Sequence, residues 1–458
     1  MIIRKTLSEY GVTFKQLSQN VDGLVVSNKY YSIGAIYKIS SSSNGKSKYL
    51  ALGGCTNDAS QPDKLFISND KGKTWTVCYT CSERQSRNYY KRPRFVPVSA
   101  ITSDCYIELD NSIKRVNFSY NYGSDTYAVT DVTTVTFGGN RTASRMIVPL
   151  WNGTFIIGDS YGGQGGQQGP RYFGSVSYPE TISSDIAYIQ DYVKTNDSTV
   201  WLATATGTFK ATKNPNNEYV AQFIHMAPPT NRVIGAGGYI FCISSKNVYR
   251  INKNDSSPNY TVISGYDSVQ HTVIGNIPVD YSTEQLVDIA YYNGRVFLTT
   301  FGSNAGSTDR YNASLYVSDD LGNTWHKQLS YFVDARAEGC SNIKIDTSTG
   351  YIYILSAGMQ YASWKPIVSK NNGNTWEETV CLDSGVSTLP YGYFANMYME
   401  RGYIFCYGQG GIQGADTGVA YSLDTEIEVK ESKYLDQAGA QEIVTQFKAY
   451  CDSLVGGE

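Results

Sequence analysis

The sequence predicts an all-β fold assembled from repeated four-stranded sheets, and three observations predict it. Eight pairs of short apolar strands are each joined by a tight turn, at Asn44-Gly45, Ser103-Asp104, Asn152-Gly153, Asp197-Ser198, Gly237-Gly238, Asn293-Gly294, Thr349-Gly350 and Arg401-Gly402. Three outer hairpins share one recurring turn: Ser68-Asn69-Asp70-Lys71-Gly72-Lys73-Thr74-Trp75, Ser318-Asp319-Asp320-Leu321-Gly322-Asn323-Thr324-Trp325 and Ser369-Lys370-Asn371-Asn372-Gly373-Asn374-Thr375-Trp376. Charged residues make up 17% of the chain, below the ~25% of an average soluble protein. Gly and Tyr are abundant, so the surface is neutral, polar and aromatic.

Each element has a local cause. In the recurring turn, a short carboxylate or amide at Asp70, Asp320 or Asn371 folds back to accept backbone N–H bonds, and Gly72, Gly322 or Gly373 two residues later admits positive φ. Thr and Trp then open the outgoing strand, and Trp75, Trp325 and Trp376 pack into the sheet. Incoming strands alternate, as in Lys64-Leu65-Phe66-Ile67 and Ala313-Ser314-Leu315-Tyr316-Val317. Upstream lies an inner hairpin, typified by Leu286-Val287-Asp288-Ile289-Ala290-Tyr291-Tyr292 before its turn and Arg295-Val296-Phe297-Leu298-Thr299-Thr300 after it. Other outer hairpins lack the recurring turn, as where Asn247-Val248-Tyr249-Arg250 precedes Tyr260-Thr261-Val262-Ile263.

Four strands per unit, at intervals of roughly 40 to 60 residues, are what a propeller blade requires, because each sheet buries both faces only against its neighbours. The expected architecture is a single β-propeller of seven or eight four-stranded blades over residues 23–430, with a lead segment at 1–22 and a short C-terminal α-helix within 431–458.

The spacing of the recurring turn resembles the Asp box, or BNR repeat, of sialidase-like β-propellers. Two copies match the motif fully; the third has Asn371 in place of Asp, and an amide still caps the turn. The resemblance implies a propeller in which Asp70, Gly72, Trp75, Asp320, Gly322, Trp325, Asn371, Gly373 and Trp376 are structural, on turns away from the ligand face.

Charge and composition narrow the partners. With 38 basic and 41 acidic residues the formal net charge is −3, which supplies no field to attract nucleic acid or an anionic membrane. The first ten residues lack the apolar core of a secretory signal, and no stretch approaches the ~18 apolar residues of a membrane span. The expectation is synthesis in the cytoplasm without a signal peptide and without membrane insertion. Nine cysteines are scattered, several inside apolar strands such as Tyr239-Ile240-Phe241-Cys242-Ile243, which reads as reduced core thiols. Cys78 and Cys81 form one isolated CxxC, and His225, His271 and His326 form no ligand cluster, so neither a metal nor a cofactor is expected. The glycine run 162–169 has no GxGxxG and no following Lys-Ser/Thr, which excludes a phosphate cradle.

After Glu431 the period lengthens, with Ala440, Val444, Phe447, Cys451 and Leu454 at steps of four, three, four and three, between a candidate N-cap at Asp436 and a stop at Gly456. Such a helix either docks on the propeller edge or joins copies of the chain into a homo-oligomer. Tyr434-Leu435-Asp436, Gly439 and Phe447-Lys448-Ala449-Tyr450-Cys451-Asp452 resemble a short helical element of bacteriophage tail and fibre proteins, over about twenty residues. That resemblance implies a place in a virion.

Propeller topology puts the turns within each hairpin on one rim and the remaining connections on the other. The second set is longer and rich in Gly, Tyr, Asn and Gln, notably 159–169, 303–311, 359–364 and 409–416. Aromatic faces stack on sugars while amides and Arg pair with hydroxyls, so Tyr161, Arg310, Tyr311, Tyr361 and Trp364 are the candidate ligand-binding residues. The sialidase resemblance calls for an arginine triad, a Tyr–Glu nucleophile pair and an Asp acid/base. No Phe/Tyr-Arg-Ile-Pro precedes Asp70, the nearest imitation, Arg92-Pro93-Arg94-Phe95-Val96-Pro97, follows it, and Ser356-Ala357-Gly358 stands where an arginine is needed. No catalytic residues are therefore assigned. The expected function is a non-enzymatic bacteriophage tail or fibre protein that binds a host surface glycan or a neighbouring virion subunit. Two alternatives stand beside it: a glycoside hydrolase using Asp309, Asp334, Glu338 or Asp416, and a cellular Asp-box binding protein.

Overall fold

A computed structural model describes the strand framework and its tight turns between residues 13 and 423. Residues 1–12, 17–22, 83–93, 136–145, 159–170, 182–188, 303–311, 333–339, 357–366, 382–392, 410–420 and 424–458, with shorter stretches of loop, are outside the described residues. The expected C-terminal helix, with Ala440 to Leu454, falls among them.

The described residues are all-β and form eight sheets, the blades of a propeller, numbered here in chain order. Blade 1 comprises Val25–Val26, Lys29–Ser41, Ser47–Cys55, Lys64–Ser68 and Thr76–Thr80 in that order. Blades 2, 3 and 4 occupy residues 94–134, 146–181 and 189–224, each with four antiparallel strands. Blade 5 comprises Arg232–Ala236, Tyr239–Ile243, Val248–Asn252 and Tyr260–Asp267, with an extra outer strand at Thr272–Gly275. Blade 6 is built from Glu284–Tyr292, Arg295–Gly302, Asn312–Ser318 and His326–Phe332, and blade 7 from Cys340–Asp346, Tyr351–Ser356, Ile367–Ser369 and Glu377–Glu378. Seven of the eight inner turns read from the sequence fall between the first and second strands of a sheet; in blade 1 the short Val25–Val26 precedes, so Lys29–Ser41 holds the place of the first strand and Asn44-Gly45 follows it.

Blade 8 uses both ends of the chain. Tyr393–Glu400, Tyr403–Gln409 and Tyr421–Leu423 are joined by Thr13–Gln16, which pairs antiparallel with Tyr421–Leu423 and parallel with Val380–Cys381. The lead segment 1–22 thus contributes a strand to the propeller body. First strands lie against one another around the ring, and Lys29–Ser41 of blade 1 meets Tyr403–Gln409 of blade 8, which closes it. A closed ring leaves no blade face uncovered.

Alternation along each strand fills the gaps between blades. In blade 5, Ile240 and Cys242 pack towards Trp201 of blade 4, while Phe241 and Ile243 pack towards Val296, Leu298 and Trp325 of blade 6. In blade 6, Phe297 turns the other way, to Ile343, Ile352 and Ile354 of blade 7. Trp201, Phe241 and Phe297 are fully buried, each large aromatic filling one gap.

Candidate functional site

The rim formed by the hairpin turns is occupied by structure. In the first recurring turn, the Gly72 amide donates to Ser68 Oγ at 2.8 Å, while the Thr74 amide and hydroxyl donate to Asp70 at 2.9 and 2.6 Å. The second repeats this with Gly322 to Ser318 at 2.7 Å and Thr324 to Asp320 at 2.8 and 2.6 Å. Both indoles donate to the turn glycine, Trp75 to the Gly72 carbonyl and Trp325 to the Gly322 carbonyl. In the third, Asn371 Oδ1 accepts from the Thr375 amide at 2.9 Å, but its Nδ2 now donates to Thr375 Oγ1. The amide therefore caps the turn with one bond reversed. Gly72, Gly322 and Gly373 all have positive φ, at 84°, 88° and 80°. Burial alone would raise the Asp320 carboxyl, but hydrogen bonds from Thr324, Ser318 and Asn323 outweigh it and hold Asp320 below the usual carboxylate range.

These turns also join the blades. A Cβ on Gly322 would lie 2.8 Å from Phe241 Cε1 of blade 5, and one on Gly373 would lie 2.5 Å from Phe297 Cε1 of blade 6. Phe241 and Phe297 hold the same place in their blades, two residues into the second strand. Arg250, stacked 4.6 Å from the centre of the Tyr239 ring, donates to the Leu321 carbonyl at 2.7 Å and to Asn323 Oδ1 at 2.9 Å. In blade 1, buried Lys48 donates to the Asn69 carbonyl at 2.8 Å and meets Asp125 of blade 2 at 3.3 Å. The Asn69 side chain exchanges bonds with the Tyr127 backbone of blade 2.

Tyr161, Arg310, Tyr311, Tyr361 and Trp364 lie outside the described residues, as do Asp309, Asp334, Glu338 and Asp416. Their flanking strands fix the order of the connections. Arg310 and Tyr311 belong to the connection between the second and third strands of blade 6, and Tyr361 and Trp364 to that of adjacent blade 7. Tyr161 belongs to that of blade 3 and is separated from the other four by blades 4 and 5. Corresponding connections in blades 4 and 5 are short, at 205–206 and 244–247. Long ones occupy blade 3, at 159–170, and consecutive blades 6, 7, 8 and 1, at 303–311, 357–366, 410–420 and 56–63.

A third region, not anticipated from the sequence, is the inner channel wall. Asp191, Arg232, Asp288 and Asn342, on the first strands of blades 4 to 7, pair with Ala203, Ile243, Thr299 and Leu355, each the fifth residue of its second strand. They form one tier. The register shifts just before Asp191 and Asp288, a bulge that re-aims the next side chain. Asp191 Oδ2 accepts from the Val233 amide of blade 5, and Asp288 Oδ2 from the Ile343 amide of blade 7, each at 3.0 Å. Arg232 Nε donates to Asp288 Oδ1 at 3.0 Å, and its Nη1 lies 3.8 Å from Asp191 Oδ2. Burial raises the Asp191 carboxyl, with Arg232 opposing. A cavity of about 410 Å³ opens here, with Lys344 of blade 7 on its wall.

Among the described residues the thiols form no reactive site: Cys55, Cys81, Cys105 and Cys242 are buried and not in disulfides, and burial pushes the Cys78 thiol up to about 12, opposite to the shift that activates a nucleophile. Among the described residues no group of three His, Cys, Asp or Glu is placed to hold a metal.

No family model matches this chain, and no curated protein matches it. Solved structures do. The chain is similar to AztD of Citrobacter koseri at 12% identity and a TM-score of 0.43, covering 76% of this chain and 86% of that one. A streptogramin B lyase structure is matched at 12% identity and a TM-score of 0.37, covering 75% and 94%. An ancestral GH74 enzyme is matched at 12% identity and a TM-score of 0.37, covering 82% of this chain and 64% of that one.

Proposed function

We propose that this chain is a non-enzymatic bacteriophage virion protein whose second rim binds a host surface glycan or a neighbouring virion subunit. The observation that supports this reading is the division of labour between the rims. On one, the recurring turns are closed by Ser68, Asp70, Ser318, Asp320, Ser369 and Asn371 and spent on contacts between blades. On the other, long connections occur in blade 3 and in consecutive blades 6, 7, 8 and 1, each carrying an amide and all but that of blade 1 carrying Gly. Long loops on one face of a rigid scaffold are where binding is usually built. Virion placement rests on the C-terminal resemblance and on the uncharged, Tyr-rich composition; the turn spacing further suggests kinship with Asp-box propellers.

A glycan array run beside a capsule-degradation assay tests the proposal. Binding without new reducing ends supports adhesion. New reducing ends that vanish on Glu338→Gln or Asp309→Asn would replace the proposal with glycoside hydrolysis. Absence of glycan signal, with the protein present in assembled particles, would select the virion-subunit partner, and absence of both would overturn the proposal.

A further inference from the structure

We propose that Asn293 is a spontaneous modification site, deamidated in the folded protein through a cyclic imide while Asn372 of the adjoining turn is protected. Two of the four Asn–Gly pairs of the chain fall among the described residues: Asn293-Gly294 in the inner turn of blade 6 and Asn372-Gly373 in the recurring turn of blade 7. Both carry the same intrinsic chemistry. The Gly nitrogen attacks Cγ of the preceding Asn with no Cβ of its own residue to crowd the approach, and the side-chain nitrogen leaves as ammonia with the proton that the attacking amide gives up. Water then opens the five-membered imide, at the Asn backbone carbonyl to leave isoaspartate or at Cγ to leave aspartate. Either product carries one more negative charge than asparagine.

The two turns also share a conformation. φ is 45° at Asn293 and 86° at Gly294, against 58° at Asn372 and 80° at Gly373, so backbone shape does not rank them. Ring closure requires the Gly nitrogen to reach Cγ, and the rate therefore follows how cheaply each turn opens. The Gly373 amide is buried and donates to Ser369 Oγ at 2.8 Å, the Asn372 carbonyl accepts from Arg295 Nη1 at 2.6 Å, and a Cβ on Gly373 would lie 2.5 Å from the Phe297 ring. Each of these contacts holds Asn372 shut. At Asn293 the turn stands open to water. Asn293 and Gly294 are exposed, the Gly294 amide makes no hydrogen bond among the described residues, and nothing lies within 4 Å of a Cβ built on Gly294. The Asn293 carbonyl accepts from Asn372 Nδ2 at 3.5 Å, too long to hold the turn.

Prolonged incubation of the full-length folded chain at neutral pH, followed by peptide mapping with mass spectrometry, tests the site. The expected result is conversion of Asn293 at least about tenfold faster than that of Asn372, the factor that one net hydrogen bond supplies. In denaturing urea, where neither turn is formed, the two rates should fall within about threefold of each other. Ser369→Ala, shown folded by circular dichroism, should speed Asn372 and leave Asn293 unchanged; should it fail to fold, the comparison of native and urea-treated wild type carries the test. No conversion at Asn293, equal rates in the folded chain, a gap that persists in urea, or an Asn372 rate unmoved in folded Ser369→Ala would each overturn the proposal.

Discussion

Arg295 and Asn372 tie two blades together: Arg295 Nη1 donates to the Asn372 carbonyl at 2.6 Å and to Asn374 Oδ1 at 2.7 Å, both in the recurring turn of blade 7. Its Nε meets Asp319 of its own blade at 2.5 Å, so one guanidinium holds two successive turns. The fork geometry matters, because a lysine cannot serve all of these acceptors in fixed directions.

Replacing Arg295 by Ala should cost about 1.5 to 3 kcal/mol, since it removes charge-assisted bonds from a group that is only 14% exposed. Arg295→Lys should recover part of that. Denaturant unfolding checks both, and a midpoint unchanged in Arg295→Ala would show that the inter-blade tie contributes nothing.

The turn chemistry predicts an order among substitutions. Ser318→Ala leaves the buried Gly322 amide without its acceptor and should cost about 1 to 3 kcal/mol. Asp320→Asn should cost less, because Asn371 already performs the same role in blade 7. Thermal unfolding of the two variants gives the comparison; a larger loss in Asp320→Asn would contradict it.

Acid stability follows from the same carboxylate. Its folded-state pKa is depressed, so its contribution is present above the unfolded carboxylate value, ~4, and is lost as pH falls through the folded value. Asp320→Asn should flatten the stability profile below about pH 4 while leaving its shape at neutral pH unchanged. Urea midpoints across that range measure it, and an unaltered slope would refute the assignment.

Two glycines separate backbone strain from collision. Gly294 has φ of +86° with nothing within 4 Å of a built Cβ, whereas Gly322 has φ of +88° and Phe241 at 2.8 Å. Gly294→Ala should cost about 1 to 2 kcal/mol from conformation alone. Gly322→Ala should cost clearly more, because the Phe241 ring must move in a packed gap. Equal losses would mean that the contact between blades 5 and 6 yields freely.

Much of this fold was legible from local chemistry. Asn293-Gly294 and Gly237-Gly238 mark hairpins because they admit positive φ, which Asn293, Gly294 and Gly237 adopt. Ser68, Ser318 and Ser369, which open each recurring turn, accept the amide of its glycine, and their recurrence in the sequence is the signal of that role. Thr13–Gln16 could not be read, since four residues give too short an alternation and their partners lie at 380–381 and 421–423. The channel tier was hidden for a different reason. Arg232 and Asp288 stand five residues before their turns, Asp191 six and Asn342 seven, because bulges and turn lengths differ, and only register against the second strand aligns all four. Of the candidate binding residues, the strand order shows only that the connection holding Arg310 and Tyr311 and the one holding Tyr361 and Trp364 belong to adjacent blades, while the one holding Tyr161 belongs to blade 3.

The division between a structural rim and a binding rim is tested most directly by a glycan array read on three proteins: the wild type, Tyr361→Ala combined with Trp364→Ala, and Arg295→Ala. The account predicts that the wild type binds, that the double variant loses at least about tenfold in affinity, as removal of stacked aromatic anchors does, and that Arg295→Ala binds as the wild type wherever it is folded. Binding that survives the double variant but vanishes in folded Arg295→Ala would place the ligand on the turn rim and contradict the account.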